Sequence, residues 1–277
     1  MIGKAAVMMN EEMNNQPENE YARDERYLNC DSSRSDEVIR LFEKASNLHH
    51  GRISGGVPDL DGAIECYLQA AAAGSVDAMI GLGNLYEEKE DFENAYYWYH
   101  EAAVAGSDAG IYNVAWMYHT GRYVSQDYEK AKAYFTKLYD RNVMQAAFYL
   151  GLYAESGYAG PVDYSGAVRY YKEGVEQGDP LSANNLGTMY CRGKGVRKNK
   201  PKGFQLFLKS YNMCEDGNVS ADICANLAQC YEKGIGTDKD LLRALKIYQE
   251  GAELGDELCE ERLQKVKTQI AEMEVQS

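Results

Sequence analysis

Residues 76–107 read VDAMIGLGNLYEEKEDFENAYYWYHEAAVAGS, and they contain two short apolar patterns of helical period. In the first, Leu82, Gly83 and Tyr86 recur three and four residues apart, which places them on one face of a helix. In the second, Ala95 and Tyr99 share a face in the same way. The small residues would let two antiparallel helices approach closely. Such a pair cannot bury its apolar face alone, so the pattern predicts further copies as neighbours.

Copies of both patterns follow one another along the chain. An apolar residue followed by a small one marks the first helix, at Leu82-Gly83, Val114-Ala115, Leu150-Gly151, Leu186-Gly187 and Leu227-Ala228. A small residue marks the second helix, at Ala63, Ala95, Ala131, Ala167, Gly203 and Ala244. Four residues before each of these comes Asp59, Asp91, Asp127, Asp163, Asn199 or Asp240. Because these side chains can accept a free backbone N–H of the first turn, we predict six N-caps.

The spacing of the copies is close to constant. The small second-helix residues lie 32, 36, 36, 36 and 41 residues apart in chain order. The short interval reflects a loop between Tyr86 and Asp91 that lacks four residues. The long interval reflects about five residues inserted around 211–220, so that either the second helix gains a turn or the connection bulges. In complete loops, glycines such as Gly193 and Gly195 would supply the positive φ values that end one helix and begin the next turn.

The chain resembles the Sel1-like repeat family on these residues. The clearest first half of the family's motif runs Leu186-Gly187-x-x-Tyr190-x-x-Gly193-x-Gly195-Val196, and the clearest second half runs from Ala95 to Gly106. The resemblance covers about residues 63–256. It implies an all-α fold, a right-handed α/α superhelix (solenoid) of antiparallel helix pairs, whose first helices line a concave side that often binds extended peptides or partner helices.

The expected organisation has three parts. Residues 1–34 are predicted to be a flexible acidic leader, because they lack sustained apolar periodicity. Residues 35–256 are predicted to form the repeats, with bounds at 35–75 (degenerate), 76–107, 108–143, 144–179, 180–218 and 219–256. Residues 257–277 are predicted to form a C-terminal capping helix, its apolar stripe running from Leu258 through Leu263, Val266 and Ile270 to Met273.

Composition narrows the classes of partner and compartment. The net charge of −14 argues against nucleic acid or an anionic membrane as the main partner. No apolar run is long enough to insert into a membrane or to serve as a signal peptide, so a cytoplasmic location is expected. A protein or peptide partner is expected, with the oligomeric state open and a monomer favoured. The seven cysteines contain no C-x-x-C pair and predict reduced, apolar thiols in a reducing compartment.

The sequence contains no pattern that predicts catalysis. There is no Ser-His-Asp constellation, no H-E-x-x-H motif and no complete phosphate loop, so we expect no catalytic residues and no cofactor. Adjacent His49 and His50 are interpreted as loop histidines rather than metal ligands, because further ligands at suitable spacing are missing. No metal site is expected.

The candidate binding residues come from the positions that the resemblance places on the concave side. They are Asn84, Tyr112, Trp116, His119, Asn184, Thr188, Arg192 and Gln229. Tyr112 and Trp116 lie one helical turn apart, and aromatic anchors commonly carry binding energy, although core packing explains them equally well. The asparagines of this group could serve helix packing instead.

A local basic segment departs from the acidic background. Lys194, Arg197, Lys198, Lys200 and Lys202 follow Arg192 closely and form a possible basic patch, either a solvated loop or a contact for an acidic partner segment. The sequence therefore predicts a non-catalytic interaction scaffold or adaptor. Two alternatives stay open: a hydrolase of the β-lactamase-like kind associated with some secreted Sel1-like proteins, and a self-associating adaptor of a membrane-linked complex.

Overall fold

A computed structural model describes residues 36–53, 56–214 and 219–275, and these residues form thirteen helices joined by turns. The predicted leader, residues 1–34, lies outside the described residues. The helices are α1 Asp36–His49, α2 Leu60–Ala72, α3 Val76–Glu88, α4 Phe92–Val104, α5 Asp108–Thr120, α6 Tyr128–Asp140, α7 Met144–Ser156, α8 Tyr164–Gln177, α9 Pro180–Arg192, α10 Lys200–Met213, α11 Ala221–Lys233, α12 Leu241–Glu253 and α13 Glu257–Val275.

All six predicted N-caps are confirmed. In α2, α4, α6, α8, α10 and α12 the Asp or Asn before the first helical residue accepts the backbone N–H three residues ahead, at 2.9–3.2 Å. Each of these bonds satisfies an N–H that has no partner within the helix. The second helix of every repeat therefore begins at a residue that the sequence specifies.

The connections also follow the sequence pattern. The complete loops from α5 to α6, α7 to α8, α9 to α10 and α11 to α12 each begin with a glycine of positive φ. The shortened connection from α3 to α4 contains only Lys89, Glu90 and Asp91. At the end of α6, Asn142 takes a φ of +60° at a position where other repeats use glycine, as at Gly106. Asn tolerates this left-handed conformation better than most residues do.

Helices that follow one another in the chain pack in pairs within each of two compact units, one formed by the described residues up to 125 and the other by those from 126 onward. In the first unit α1 packs on α2, α2 on α3, α3 on α4 and α4 on α5. In the second unit the same chain-order packing runs from α6 to α13, and the first helices α7, α9 and α11 also contact the next first helix along. These contacts confirm the predicted all-α fold, in which the helices pack in pairs.

A glycine in the first helix allows the closest approach between paired helices. A Cβ built on Gly151 of α7 would lie 2.6 Å from the ring of Tyr171 in α8, closer than real side chains come. Gly187 stands in the same relation to Phe207, at 2.9 Å, and a Cβ on Gly83 would overlap the Tyr99 ring. Tyr99 and Tyr171 are almost fully buried. The glycine thus provides the space that the aromatic ring of the partner helix fills.

The structure corrects two expectations and decides one alternative. His49 is not a loop histidine: it ends α1, is buried, and its Nε2 lies 3.0 Å from Glu88 Oε2 of α3. Of the two alternatives for the insertion, a second helix longer by one turn is excluded, because α10 has 14 residues, as α8 does. In the capping helix α13, Leu258 and Met273 are exposed, and Cys259 is buried in place of Leu258. The neighbour against which a helix packs fixes which of two adjacent apolar residues turns inward.

We predict that Gly151→Ala lowers the free energy of unfolding by about 1–3 kcal/mol, because the added methyl overlaps the Tyr171 ring. In a Tyr171→Ala background the same change should raise stability by about 1 kcal/mol, which is the helix preference of Ala over Gly. Urea unfolding followed by circular dichroism measures the stability of the parent protein, the two single variants and the double variant, which together form a double-mutant cycle. If Gly151→Ala destabilised the protein equally in both backgrounds, the overlap with the Tyr171 ring would not be its cause.

Candidate functional site

The candidate residues of the first unit lie on α3 and α5. Trp116 and His119 stack on each other, with ring centroids 5.2 Å apart and an angle of 22° between the planes. Both are half-buried, as is Tyr112 one turn earlier. Burial lowers the pKa of His119 below its ordinary value, so its ring is neutral at pH 7. The structure thus assembles an aromatic cluster from α5, which we call the α5 aromatic cluster.

Asn84 of α3 is exposed but has a structural partner. Its Oδ1, at 2.8 Å, and Glu87 Oε2, at 2.9 Å, share the single proton that the Tyr99 hydroxyl donates. The amide of Asn84 therefore helps to hold the paired helix. The Nδ2 group of Asn84 is the part of this side chain that a partner could contact.

The candidate residues of the second unit differ in accessibility. Asn184 of α9 is buried, and its Oδ1 accepts a hydrogen bond from Asn226 Nδ2 of α11 at 3.0 Å. Thr188 and Gln229 are half-buried, and Arg192 at the end of α9 is exposed. The Asn184–Asn226 bond links neighbouring first helices, so Asn184 serves packing. The accessible part of this surface is formed by Thr188, Arg192 and Gln229.

Sequence reasoning missed a set of hydrogen bonds between tyrosine and glutamate. The buried second-helix tyrosine of three repeats donates to a glutamate near the end of the paired first helix: Tyr99 to Glu87, Tyr171 to Glu155 at 3.2 Å, and Tyr248 to Glu232 at 2.8 Å. The sequence does contain a signal for these bonds. Each glutamate lies four residues after the small residue of its first helix, and each tyrosine lies four residues after the small residue of its second helix.

A second set of such bonds joins successive second helices. The Tyr139 hydroxyl of α6 donates to Glu173 of α8, and the Tyr211 hydroxyl of α10 donates to Glu250 of α12. The bond to Glu173, together with burial and the glutamate charge, raises the pKa of Tyr139 to about 12. These two tyrosines therefore connect successive second helices through their hydroxyl groups.

The basic patch lies on the loop between α9 and α10 and on the first turn of α10. Arg197, Lys198, Lys200 and Lys202 are exposed, and Lys194 is half-buried. Lys194 Nζ lies 3.7 Å from Glu155 Oε1 and 4.9 Å from the centroid of the Tyr164 ring. Lys202 Nζ lies 4.4 Å from the centroid of the Tyr190 ring. The structure thus places the five residues of this sequence segment on one stretch of surface.

The cysteines of the described residues are free thiols in helical packing. Cys66, Cys224, Cys230 and Cys259 are buried, and Cys191 and Cys214 are half-buried. Burial raises the pKa of Cys230 to about 12. Burial, followed by the hydrogen bond and the charge of Asp256, raises the pKa of Cys259 to about 12. Thiols in such surroundings are weak nucleophiles at neutral pH.

Among the described residues, no group of three or more His, Cys, Asp and Glu side chains could hold a metal ion, and no helix has the length and apolar character to cross a bilayer. A surface pocket of about 660 Å³ lies between α12 and α13 and is lined by Glu253, Glu257, Glu260 and Glu261 beside Leu263. Its lining is an ordinary solvated acidic surface.

Antiparallel helix pairs, repeated caps and glycine–aromatic contacts define an all-helical repeat protein. The chain belongs to the Sel1 repeat family, whose model matches residues 45–75, 76–107, 108–143, 145–179, 180–213 and 221–256.

Two solved structures are similar to this one. The first is c5321, a protective antigen of uropathogenic Escherichia coli that displays an SLR fold; the TM-score is 0.66 at 27% identity, over 82% of this chain and 48% of that chain. The second is a Sel1 repeat protein from Oxalobacter formigenes, with a TM-score of 0.64 at 25% identity, over 76% of this chain and 85% of that chain.

Two curated relatives share part of the sequence. The chitin synthase regulator SKT5 of Saccharomyces cerevisiae is 24% identical over 210 residues, which are 71% of this chain and 30% of the relative. HRD3 of Candida glabrata, a component of an ERAD-associated E3 ubiquitin-protein ligase, is 29% identical over 80 residues, which are 29% of this chain and 10% of the relative. The chain therefore spans less than a third of the length of either relative.

We predict that Tyr248→Phe destabilises the protein more than Tyr99→Phe does. Glu232 is buried and loses its hydroxyl donor, which costs about 2 kcal/mol, and it keeps only the longer ion pair with Arg262 at 3.8 Å. Glu87 is partly exposed and keeps Arg122 at 2.7 Å. Urea unfolding of the two variants measures the difference. Equal loss in both variants would show that burial of the glutamate does not matter.

We also predict that stability falls as pH rises from about 9 to 12. The folded chain keeps protons on Cys224, Cys230 and Cys259, whose pKa values lie at about 11, 12 and 12 against an ordinary value of 9.0. The unfolded chain releases these protons from about pH 9 upward, so the stabilisation is complete below pH 9 and is lost above it. The urea midpoint should therefore drop between pH 8 and pH 10.5.

A Cys230→Ala/Cys259→Ala variant serves as the control for this pH dependence. It should lose less of its urea midpoint over the same pH range, since two of the three thiols are gone. An unchanged urea midpoint in the parent protein between pH 8 and pH 10.5 would contradict the raised pKa values of the three buried thiols.

Proposed function

We propose that this protein is a non-catalytic scaffold that holds a peptide or protein partner on the surface formed by its first helices. The observation that carries the proposal is the α5 aromatic cluster, in which Trp116 and His119 stack beside half-buried Tyr112. A pre-stacked aromatic surface loses little side-chain freedom on binding, and Trp and Tyr are the side chains that most often dominate binding energy at interfaces.

The relatives support an accessory role. One is named as a regulator of a synthase and the other as a component of a ligase, and neither name assigns catalysis to the relative itself. The chemistry of the described residues agrees with this proposal. Burial raises the pKa values of the core thiols, which makes them poor nucleophiles.

Asn84 is the other predicted residue on this surface of the first unit. Its amide group can pair with the backbone of an extended peptide. In this proposal the aromatic cluster provides affinity and the amide of Asn84 provides register. In the second unit, taken by itself, Thr188, Arg192 and Gln229 are the accessible residues of the predicted set, and Asn184 is already hydrogen-bonded to Asn226.

We predict that a Tyr112→Ala/Trp116→Ala variant loses partners that the parent protein captures from lysate of its native cells. Removing two large aromatic side chains should weaken binding by about 2 kcal/mol or more, a loss of about thirtyfold. Affinity capture with quantitative mass spectrometry compares the two proteins, after circular dichroism has shown that both are folded.

Leu242→Ala is the control variant in this experiment. Leu242 is a large, exposed apolar residue of the second helix α12, so its removal changes surface hydrophobicity outside the proposed site. Partners lost from the double variant and kept by Leu242→Ala would support the proposal. Partners that both variants keep at parental levels would contradict binding through the α5 aromatic cluster.

A further inference from the structure

We propose that the loop edge of the last two repeats is a second binding surface, which takes an acidic segment of a partner protein. We call this surface the basic edge; it consists of residues 192–202 together with Lys233 and Lys239. Residues 192–202 carry six positive charges and no negative one, within a chain of net charge −14. The proposal goes beyond the scaffold function because it adds another surface and states the chemistry of its partner.

The loop that carries these charges is fixed at both ends. The Gly193 N–H donates to the Met189 carbonyl and the Asn199 N–H to the Tyr190 carbonyl, each at 2.8 Å. Between them, a Cβ on Gly195 would overlap the carbonyl of Tyr164 at the start of α8, so this glycine lets the loop press against α8. The cationic side chains therefore project from a backbone that is already in place.

The next inter-helix loop extends the surface. A Cβ on Gly236 would overlap the Lys200 carbonyl, so the loop between α11 and α12 lies directly against the start of α10. This loop is flanked by Lys233 and contains Asp238 and Lys239, all three of which are exposed. Its Asp240 is paired with Arg243, whose Nε lies 3.2 Å from Asp240 Oδ2. The two loops thus lie side by side, and the excess of positive charge on the edge comes from residues 192–202.

Most of this charge is not neutralised by the protein. Lys194 is paired with Glu155, and Lys202 lies over the Tyr190 ring. Arg192, Arg197, Lys198 and Lys200 are exposed and form no ion pair with another of the described residues. Four like charges kept close together repel one another, and an acidic ligand would relieve that repulsion while forming charge-assisted hydrogen bonds.

The surrounding charge favours a narrow protein segment over a membrane or a nucleic acid. The Debye length is about 8 Å at physiological ionic strength, so a ligand confined to the edge experiences mainly the local cations. A membrane surface or a long nucleic acid would also approach the acidic remainder of the chain and be repelled by it. An extended acidic peptide can lie along the two loops without this repulsion. Fixed cations also lower the ordering cost of binding it.

Fluorescence anisotropy with a labelled peptide of about eight consecutive glutamates, at about 20 mM and about 150 mM NaCl, tests the proposal. The intact chain should bind this peptide, more weakly at the higher salt concentration, and should not bind an equivalent glutamine peptide. The variant Arg197→Glu/Lys198→Glu/Lys200→Glu should bind at least about tenfold more weakly. It leaves the α5 aromatic cluster unchanged, so a failure here is distinct from a failure of the scaffold proposal.

The matched control is Lys172→Glu/Lys209→Glu/Lys246→Glu, which makes the same change in net charge at exposed positions of α8, α10 and α12. It should weaken binding by less than about threefold. If both triple variants lost the same amount of affinity for the glutamate peptide, net charge alone would explain the binding and the proposed site would be wrong. Absence of binding by the parent protein at the lower salt concentration would also overturn it, as would tighter binding to phosphatidylserine vesicles than to the peptide.

Discussion

In three of the repeats the close approach of the first helix to its partner depends on one contact, between a glycine in the first helix (Gly83, Gly151 or Gly187) and an aromatic ring in the second. At Gly151 and Tyr171 there is no room for even one methyl group between the helix backbone and the ring. The ring in turn fills the space that a larger helix separation would leave empty. Because interiors tolerate neither overlap nor voids, this contact sets the distance between paired helices, and the repeats stack on pairs of that thickness.

The same ring carries the polar organisation of the fold. A tyrosine hydroxyl buried beside a helix needs a partner, and the glutamate four residues after the glycine provides it, as with Tyr171 and Glu155. Where the ring is Phe207, which has no hydroxyl, the corresponding first-helix position holds Cys191 instead of glutamate. The pairing of tyrosine with glutamate follows from the cost of leaving a buried polar group without a partner.

This construction frees the exposed faces for other roles. Caps, glycines and tyrosine–glutamate bonds determine the packing, so residues that contribute to none of them can vary without loss of fold. The α5 aromatic cluster and the cationic side chains of the basic edge both lie at such positions, and they differ in chemistry. A scaffold with one aromatic and one cationic surface can hold two kinds of partner segment, which is the use we propose for it.

The sequence alone determined the repeat length, the helix pairing and all six second-helix caps, because these depend on local backbone chemistry that recurs in register. It also determined that Arg197, Lys198 and Lys200 share one short basic segment. Only the tertiary structure decided that His49 is buried against Glu88, that Cys259 rather than Leu258 packs inward, and that Asn184 is occupied by Asn226. Each of these outcomes depends on a residue far away in the chain. Helical periodicity defines a face to within about one residue, and the neighbouring helix selects the residue that is buried.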